Sequence, residues 1–175
     1  MIHTVELWPN GYAEGLGLTP SAGGSYDGWA CLDDLSESDY VYDATTGLYT
    51  YSYYSLKDIS IPSNAIITNL RLDTRGYATT DVSSYGYVEV AFKIGSSYYR
   101  SSWLNLPKGV KTDVYNDWAT NPNTGVAWTP SDINGMYVGM YLRSDNGGQV
   151  WAYWLRCTVT YNIPGSPRAQ IIGLW

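Results

Sequence analysis

Four stretches of this chain alternate apolar and polar residues over eight or more positions. That pattern constrains the fold more than anything else in the sequence. In residues 65–74, Ile66, Leu70 and Leu72 fall on one phase, and Asn69, Arg71 and Asp73 on the other. In residues 85–95, Val88, Val90, Phe92 and Ile94 alternate against Tyr85, Tyr87, Glu89 and Lys93. In residues 135–143, Met136, Val138, Met140 and Leu142 alternate against Gly135, Tyr137, Gly139 and Tyr141. In residues 151–161, Trp151, Tyr153, Leu155, Cys157, Val159 and Tyr161 alternate against Trp154, Arg156, Thr158 and Thr160. A strand sends successive side chains to opposite faces, so period 2 over this many positions means sheets with one core face and one outer face. No stretch carries the 3.6-residue period of a useful amphipathic helix.

Composition agrees. The chain has 175 residues with 18 Tyr, 8 Trp, 18 Gly and 1 Phe. Tyr and Trp suit pleated, half-buried surfaces, and Gly, Asn, Asp and Ser supply turns. Residues 49–54 and 57–61 read as shorter strands, stopped by Pro62. Asn146-Gly147 marks a tight hairpin turn between the last two long strands. Residues 130–134 fit one helical turn, with Ser131 or Asp132 as its cap. Trp118 and Trp128 flank a Pro/Asn/Gly turn and read as hydrophobic pins for a long connection. The expected architecture is all-β: a two-sheet antiparallel β-sandwich of jelly-roll type over residues 1–163, with an extended C-terminal tail over 164–175. Residues 9–28 read as a Gly/Ser/Pro-rich loop outside the core.

The charge balance excludes some functions. A formal net charge of −6 repels a phosphate backbone, which argues against nucleic-acid binding. No apolar run approaches the ~18 residues that would suggest a membrane span. The N-terminus lacks the charged and apolar regions of a signal peptide, so synthesis and assembly are expected in a cytoplasm. Cys31 and Cys157 are too few for a disulfide framework. A bridge between them stays open, with Cys157 on an apolar phase reading as a buried thiol.

Catalytic chemistry is not visible. His3 is the only histidine and sits at the terminus, where a strand-pairing role is expected. No zinc-protease, nucleophile-elbow, phosphate-loop or Cys-x-x-Cys motif occurs. No catalytic, cofactor-binding or metal-binding residue is assigned. The acidic stretch with Asp33, Asp34, Glu37, Asp39 and Asp43 reads first as a solvated loop, with calcium or paired-carboxylate chemistry as alternatives. The outward-phase aromatics Tyr85, Tyr87, Tyr137, Tyr141 and Trp154 have three readings: cross-strand cover, a protein interface, or a platform for sugars.

Five segments resemble, in order, a known family. They are VELWPNGYAEGLGLTPS, DDLSESDYVYD, YTYSYYSLKDISIPSNAIITNLRL, DWATNPNTGVAWTPSDINGMYVGMYLRS and WAYWLRCTVTY. Together they look like the small jelly-roll-like structural proteins of tailed-bacteriophage virions, over residues 4–161. The resemblance implies a non-enzymatic virion component assembled in the host cytoplasm, most simply a capsid decoration protein. It would bind the major capsid protein or other virion proteins as a homo-oligomer, expected as a trimer. In that reading the tail anchors the chain through Ile171, Ile172, Leu174 and Trp175, with Arg168 making a polar contact. The alternative is a receptor- or carbohydrate-binding module of a tail or head fibre, with a surface glycan as partner.

Overall fold

The computed structural model describes residues 1–15, 18–21, 28–43, 48–57, 61–79, 85–144 and 148–165. Among these residues the chain forms two six-stranded antiparallel sheets facing one another across a single large core. The first sheet runs β10 (Thr112–Trp118), β6 (Ile66–Ala78), β12 (Val150–Asn162). The far edge of β12 is shared by two partners. Its end pairs with β1 (Ile2–Leu7), and its start with β4 (Val41–Tyr42), which in turn holds β3 (Thr19–Pro20). The second sheet runs β2 (Pro9–Gly15), β5 (Tyr49–Leu56), β11 (Met136–Ser144), β7 (Tyr85–Ile94). The far edge of β7 is shared by β8 (Ser97–Arg100) and β9 (Leu104–Pro107). The all-β sandwich expected from alternation is the fold observed. No described helix is long and apolar enough to cross a membrane.

Two of the four alternating stretches keep one phase from end to end. Val88, Val90 and Phe92 of β7 face Val138, Met140 and Leu142 of β11 across the same ladder, all fully buried. Each such side chain contributes ~1.5–3 kcal/mol by leaving water. The other two stretches switch phase partway, because each contains a bulge. In β12 the register slips between Ala152 and Trp154. Val150 and Ala152 point into the core before the slip, and Leu155, Cys157 and Val159 after it. Trp151 and Tyr153, expected in the core, therefore lie on the outer side. Trp151 stacks on Tyr40 there, centroids 4.3 Å apart. At the bulge the Thr74 hydroxyl donates to the Trp154 carbonyl, and the Leu155 N–H donates to the Leu32 carbonyl at 3.3 Å. In β6 the slip lies opposite Thr160 and Tyr161. It buries Ile67 and leaves Ile66, expected in the core, on the surface. An inserted residue reverses every side chain beyond it, which strict alternation cannot anticipate.

Residues 9–15, expected within a loop, instead form the edge strand β2. Two register shifts against β5 bend it, and Pro9 cannot donate to a ladder, so the edge resists pairing with another chain. The helical turn is α1 (Pro130–Asn134), capped by Thr129 rather than Ser131 or Asp132. Asp132 is the reciprocal partner: the Thr129 hydroxyl accepts from the Asp132 N–H, and the Asp132 carboxylate accepts from the Thr129 N–H at 2.8 Å. The cap lies two positions before Ser131 because Pro130 fills the first helical position, where a missing N–H costs nothing. The two indoles pin the connection as expected. Trp128 is buried, its Nε1 donates to the Trp118 carbonyl at 2.9 Å, and both rings meet Phe92 edge-on.

Cys31 and Cys157 are both buried, and no disulfide joins them. Burial pushes the Cys157 thiol up from its ordinary value, so it behaves as a small apolar side chain. His3 pairs with Tyr161 across β1 and β12 and stacks on its ring. The Asn146-Gly147 turn, most of the 57–61 strand and the tail beyond residue 165 lie outside the described residues.

Candidate functional site

The outer face of the second sheet is built mainly from tyrosine. Its geometry follows from β5, whose sequence YTYSYYSL places Tyr49, Tyr51, Tyr53 and Ser55 outward and Thr50, Ser52, Tyr54 and Leu56 inward. On the neighbouring β11 the outward positions are Tyr137, Gly139, Tyr141 and Arg143, directly opposite Ser55, Tyr53, Tyr51 and Tyr49. On β7 they are Tyr87, Glu89, Ala91 and Lys93, and β8 adds Tyr98 and Arg100. One row across the sheet thus reads Tyr53, Gly139, Ala91, Arg100. The two small residues leave a trough, and the Tyr53 ring lies down in it. A Cβ on Gly139 would stand 2.7 Å from Tyr53 Cδ1 and 2.5 Å from the Ser52 carbonyl, so only glycine fits.

Tyr53 is the floor of an aromatic layer. It is fully buried although it faces away from the main core. Its hydroxyl donates to the Tyr141 hydroxyl at 3.3 Å, and its ring meets Tyr51, Tyr98 and Tyr141 edge-on, at 5.5 to 6.1 Å between centroids. Tyr51 and Tyr141 stack at 4.8 Å. Burial pushes the Tyr53 and Tyr141 phenols up, so both stay neutral hydroxyls across the physiological range. Above this floor Tyr49 and Tyr98 stand half-exposed. Together with Tyr51, Tyr141 and Arg100 they line an open depression of about 380 Å³.

Two further hollows continue along the same face. One, about 440 Å³, is lined by Tyr12, Glu14, Ser55, Lys93 and Tyr137. The other, about 550 Å³, lies between β5, α1 and the start of β11 and shares Ser55 and Tyr137. Lys93, on the wall of the 440 Å³ hollow, and Tyr98, on the wall of the aromatic depression, stand between those two. The Lys93 ammonium lies over the Tyr98 ring at 5.0 Å and pairs with Glu14 at 2.6 Å, and the Tyr98 hydroxyl donates to Glu14 at 2.8 Å. This pairing holds the Glu14 carboxyl below the usual range. Tyr137 and Tyr141 are four residues apart on one strand, about 13 Å at ~3.3 Å per residue.

The five aromatics singled out in the sequence do not form one surface. Tyr137, Tyr141 and Tyr87 share the second sheet. The Tyr85 side chain lies outside the described residues, although its backbone pairs with Pro107. Trp154 faces out from the opposite sheet, opposite Arg75, and is only 4% exposed beneath Arg156 and the segment bearing Leu35. Tyr141 is 7% exposed, so its outward phase gives a wall rather than a free ring. Arg168, Ile171, Ile172, Leu174 and Trp175 lie outside the described residues. The acidic stretch is divided: Glu37 pairs with Arg75 and Lys111, which hold its carboxyl low, while Asp33 is raised by burial. Among the described residues no three His, Cys, Asp or Glu side chains converge as metal ligands.

Sequence reasoning missed Tyr49, Tyr51, Tyr53, Tyr98 and Arg100. A signal for the last two was present. Gly95-Ser96 between KI and SYYR is a tight hairpin turn, and Gly95 takes a positive φ of 57°. Pairing through that turn sets Tyr98 opposite Lys93 and Arg100 opposite Ala91. The β5 tyrosines were hidden because the inward partners Thr50 and Ser52 are polar, which blurs the alternation.

No family model matches the chain, and no curated protein matches it. Solved structures share its general architecture at low similarity. A family 16 carbohydrate-binding module is 13% identical with a TM-score of 0.42, covering 70% of this chain and 78% of that one. A carbohydrate-binding module of Cellvibrio mixtus lichenase 5A, solved with cellotriose, is 11% identical with a TM-score of 0.41, covering 87% and 95%. The enzymatically active domain of bacteriophage CBA120 tailspike protein 4 is 12% identical with a TM-score of 0.40. This chain is covered to 93% in that last match and spans 19% of the tailspike chain. Likeness at this level transfers no ligand and no residue role.

Proposed function

We propose that the chain is a non-enzymatic glycan-binding module whose site is the tyrosine-lined outer face of β5, β11 and β8. The observation that carries this reading is the depression lined by Tyr49, Tyr51, Tyr98, Tyr141 and Arg100. A pyranose presents an apolar face of C–H groups and a rim of hydroxyls. The electron-rich face of a tyrosine ring matches the first, and its hydroxyl or a guanidinium matches the second. The floor is rigid, because Tyr53, Gly139 and Tyr51 fix one another, so little ordering cost falls on binding. Three hollows in a row suit a chain of sugars better than a single ring. Among the described residues no carboxylate lines the aromatic depression, an arrangement that favours holding a glycan over hydrolysing it, since glycoside hydrolysis needs two facing carboxyls.

The sequence resemblance to phage virion proteins supports presentation of this module on a particle, as part of a tail or head fibre. Capsid decoration through the tail is the competing reading. Affinity electrophoresis and a glycan array of the whole chain separate the two. Retardation by at least one polysaccharide is expected. Loss of about tenfold in affinity is expected for Tyr98→Ala and again for Tyr49→Ala, with circular dichroism unchanged, because both rings are half-exposed and each stacking contact contributes ~0.5–1.5 kcal/mol. A blank array together with particle association that depends on residues 164–175 would replace this reading with the decoration one.

A further inference from the structure

We infer that the aromatic depression selects an acidic saccharide, one carrying a carboxylate or similar anion beside the ring that stacks, with Arg100 as its anion contact. This rests on the glycan-binding reading above and names its ligand class.

Among the described residues, Arg100 is the only charged residue lining the depression, whose other walls are four tyrosines. Its side chain is 45% exposed. It is held at its base: Nη1 donates to Glu89 Oε2 at 3.0 Å, and its guanidinium carbon lies 4.9 Å from the Tyr141 ring centroid. Among the described residues it makes no other hydrogen bond, so Nε and Nη2 remain as donors on a guanidinium that is already oriented. Glu89, 5% exposed, holds one terminal nitrogen from below, so the donors left on the 45% exposed side chain are the ones an incoming anion meets. The other cation nearby, Lys93, is spent on Glu14. Two rows further along the same face, Arg143 lies over the Tyr87 ring at 5.7 Å.

The whole chain is acidic, with a net charge of −6. That field opposes an anion only weakly at the site. Charges more than ~8 Å away are screened at physiological salt, whereas a contact with Arg100 acts at hydrogen-bond distance. A planar guanidinium also matches a carboxylate in shape, which an ammonium does not.

The test uses the whole chain and defined probes: oligogalacturonate, hyaluronan fragments and oligosialic acid, each beside its methyl-esterified or carboxyl-reduced counterpart, with cello- and malto-oligosaccharides as neutral chains. Calorimetry is expected to show an acid bound about ten- to a hundredfold more tightly than its own ester, the factor a charge-assisted hydrogen bond carries. Arg100→Gln should bring that ratio close to one, Arg100→Lys should restore it in part, and the advantage should shrink with added salt. If Arg100→Gln fails to fold because Glu89 is left alone, E89Q/R100Q carries the same measurement. Equal affinity for acids and esters, or neutral chains bound best, overturns the acidic-ligand inference and leaves the glycan reading standing. Failure of every probe to bind overturns both.

Discussion

The two outer faces of this sandwich cover their sheets by different means. On the first sheet, β6, β10 and β12 carry a lattice of opposite charges. Arg71 pairs with Asp117 at 2.8 Å, Arg75 with Asp113 at 2.5 Å and with Glu37, and Arg156 with Asp73 at 2.7 Å and Glu6 at 2.9 Å. Each arginine there is already occupied by carboxylates. On the second sheet the same positions hold tyrosines over a Gly139–Ala91 trough, and Arg100 keeps donors to spare. The first face is paired charge by charge, and its hollow of about 380 Å³ is walled by those same pairs; the second is a thin apolar layer whose opening is walled by tyrosines. Ligand sites need preorganised but unsatisfied groups, and on the second face Arg100 beside the tyrosines supplies them. The first face also has an aromatic end, where Tyr40, Trp151, Tyr77 and Tyr153 meet, but Tyr40 and Trp151 lie flat on each other, interplanar angle 13°, and so occupy one another's faces.

The largest test of this contrast is Tyr53→Ala. If the second face is a true packed layer, removing its floor should cost about 3–5 kcal/mol, as truncation of a core aromatic does, and should abolish glycan binding. A loss under about 1 kcal/mol in urea unfolding would mean that the tyrosines merely rest on the sheet. Arg156→Ala is the counterpart on the first face. It strands Asp73, a buried carboxylate, and should cost about 1–3 kcal/mol while leaving glycan binding unchanged. The exposed Arg71–Asp117 pair should couple by only ~0.2–1 kcal/mol in a double-mutant cycle, vanishing at high salt.

The contrast was half legible in the sequence. Alternation assigned Tyr137 and Tyr141 to an outer face and the β7 and β11 aliphatics to the core, because neither strand is interrupted. It failed at Trp151, Tyr153 and Ile66, where a bulge in β12 or β6 reverses the phase. It also could not separate facing outward from being accessible. Trp154 and Tyr141 face outward and are nearly covered, since neighbours from β5, β8 and the Leu35 segment close over them. Those neighbours are set by sheet order, and sheet order is a long-range property: β5 and β11 are about 90 residues apart along the chain yet adjacent in space. The Trp118–Trp128 pins were legible because Pro and Gly fix the turn between them locally.

The smallest effect separates the faces by sign. On the first face Arg71 holds the Asp117 carboxyl, and Arg75 the Asp113 carboxyl, below the ordinary value. Groups lowered in the folded state stabilise above their unfolded value of ~3.9 and lose that contribution as pH falls through the folded one. On the second face burial raises Glu89, and Arg100 takes back only part of the rise. A raised carboxyl works in the opposite sense: its stability is present below the unfolded value of ~4.3 and lost as pH rises through the folded one. Asp117→Asn should therefore destabilise the chain at pH 7 by less than about 1 kcal/mol, as expected for a half-exposed pair, and by less still at pH 3. Glu89→Gln should be neutral in acid and slightly stabilising at pH 7, because it removes a charge that burial disfavours while keeping an acceptor for Arg100. Urea midpoints of both variants at pH 3 and pH 7 decide it. Two variants that shift the midpoint in the same direction at pH 7 would show that Glu89 is stabilised by Arg100 as the first-face acids are by their arginines, and that the second face is no less self-paired than the first.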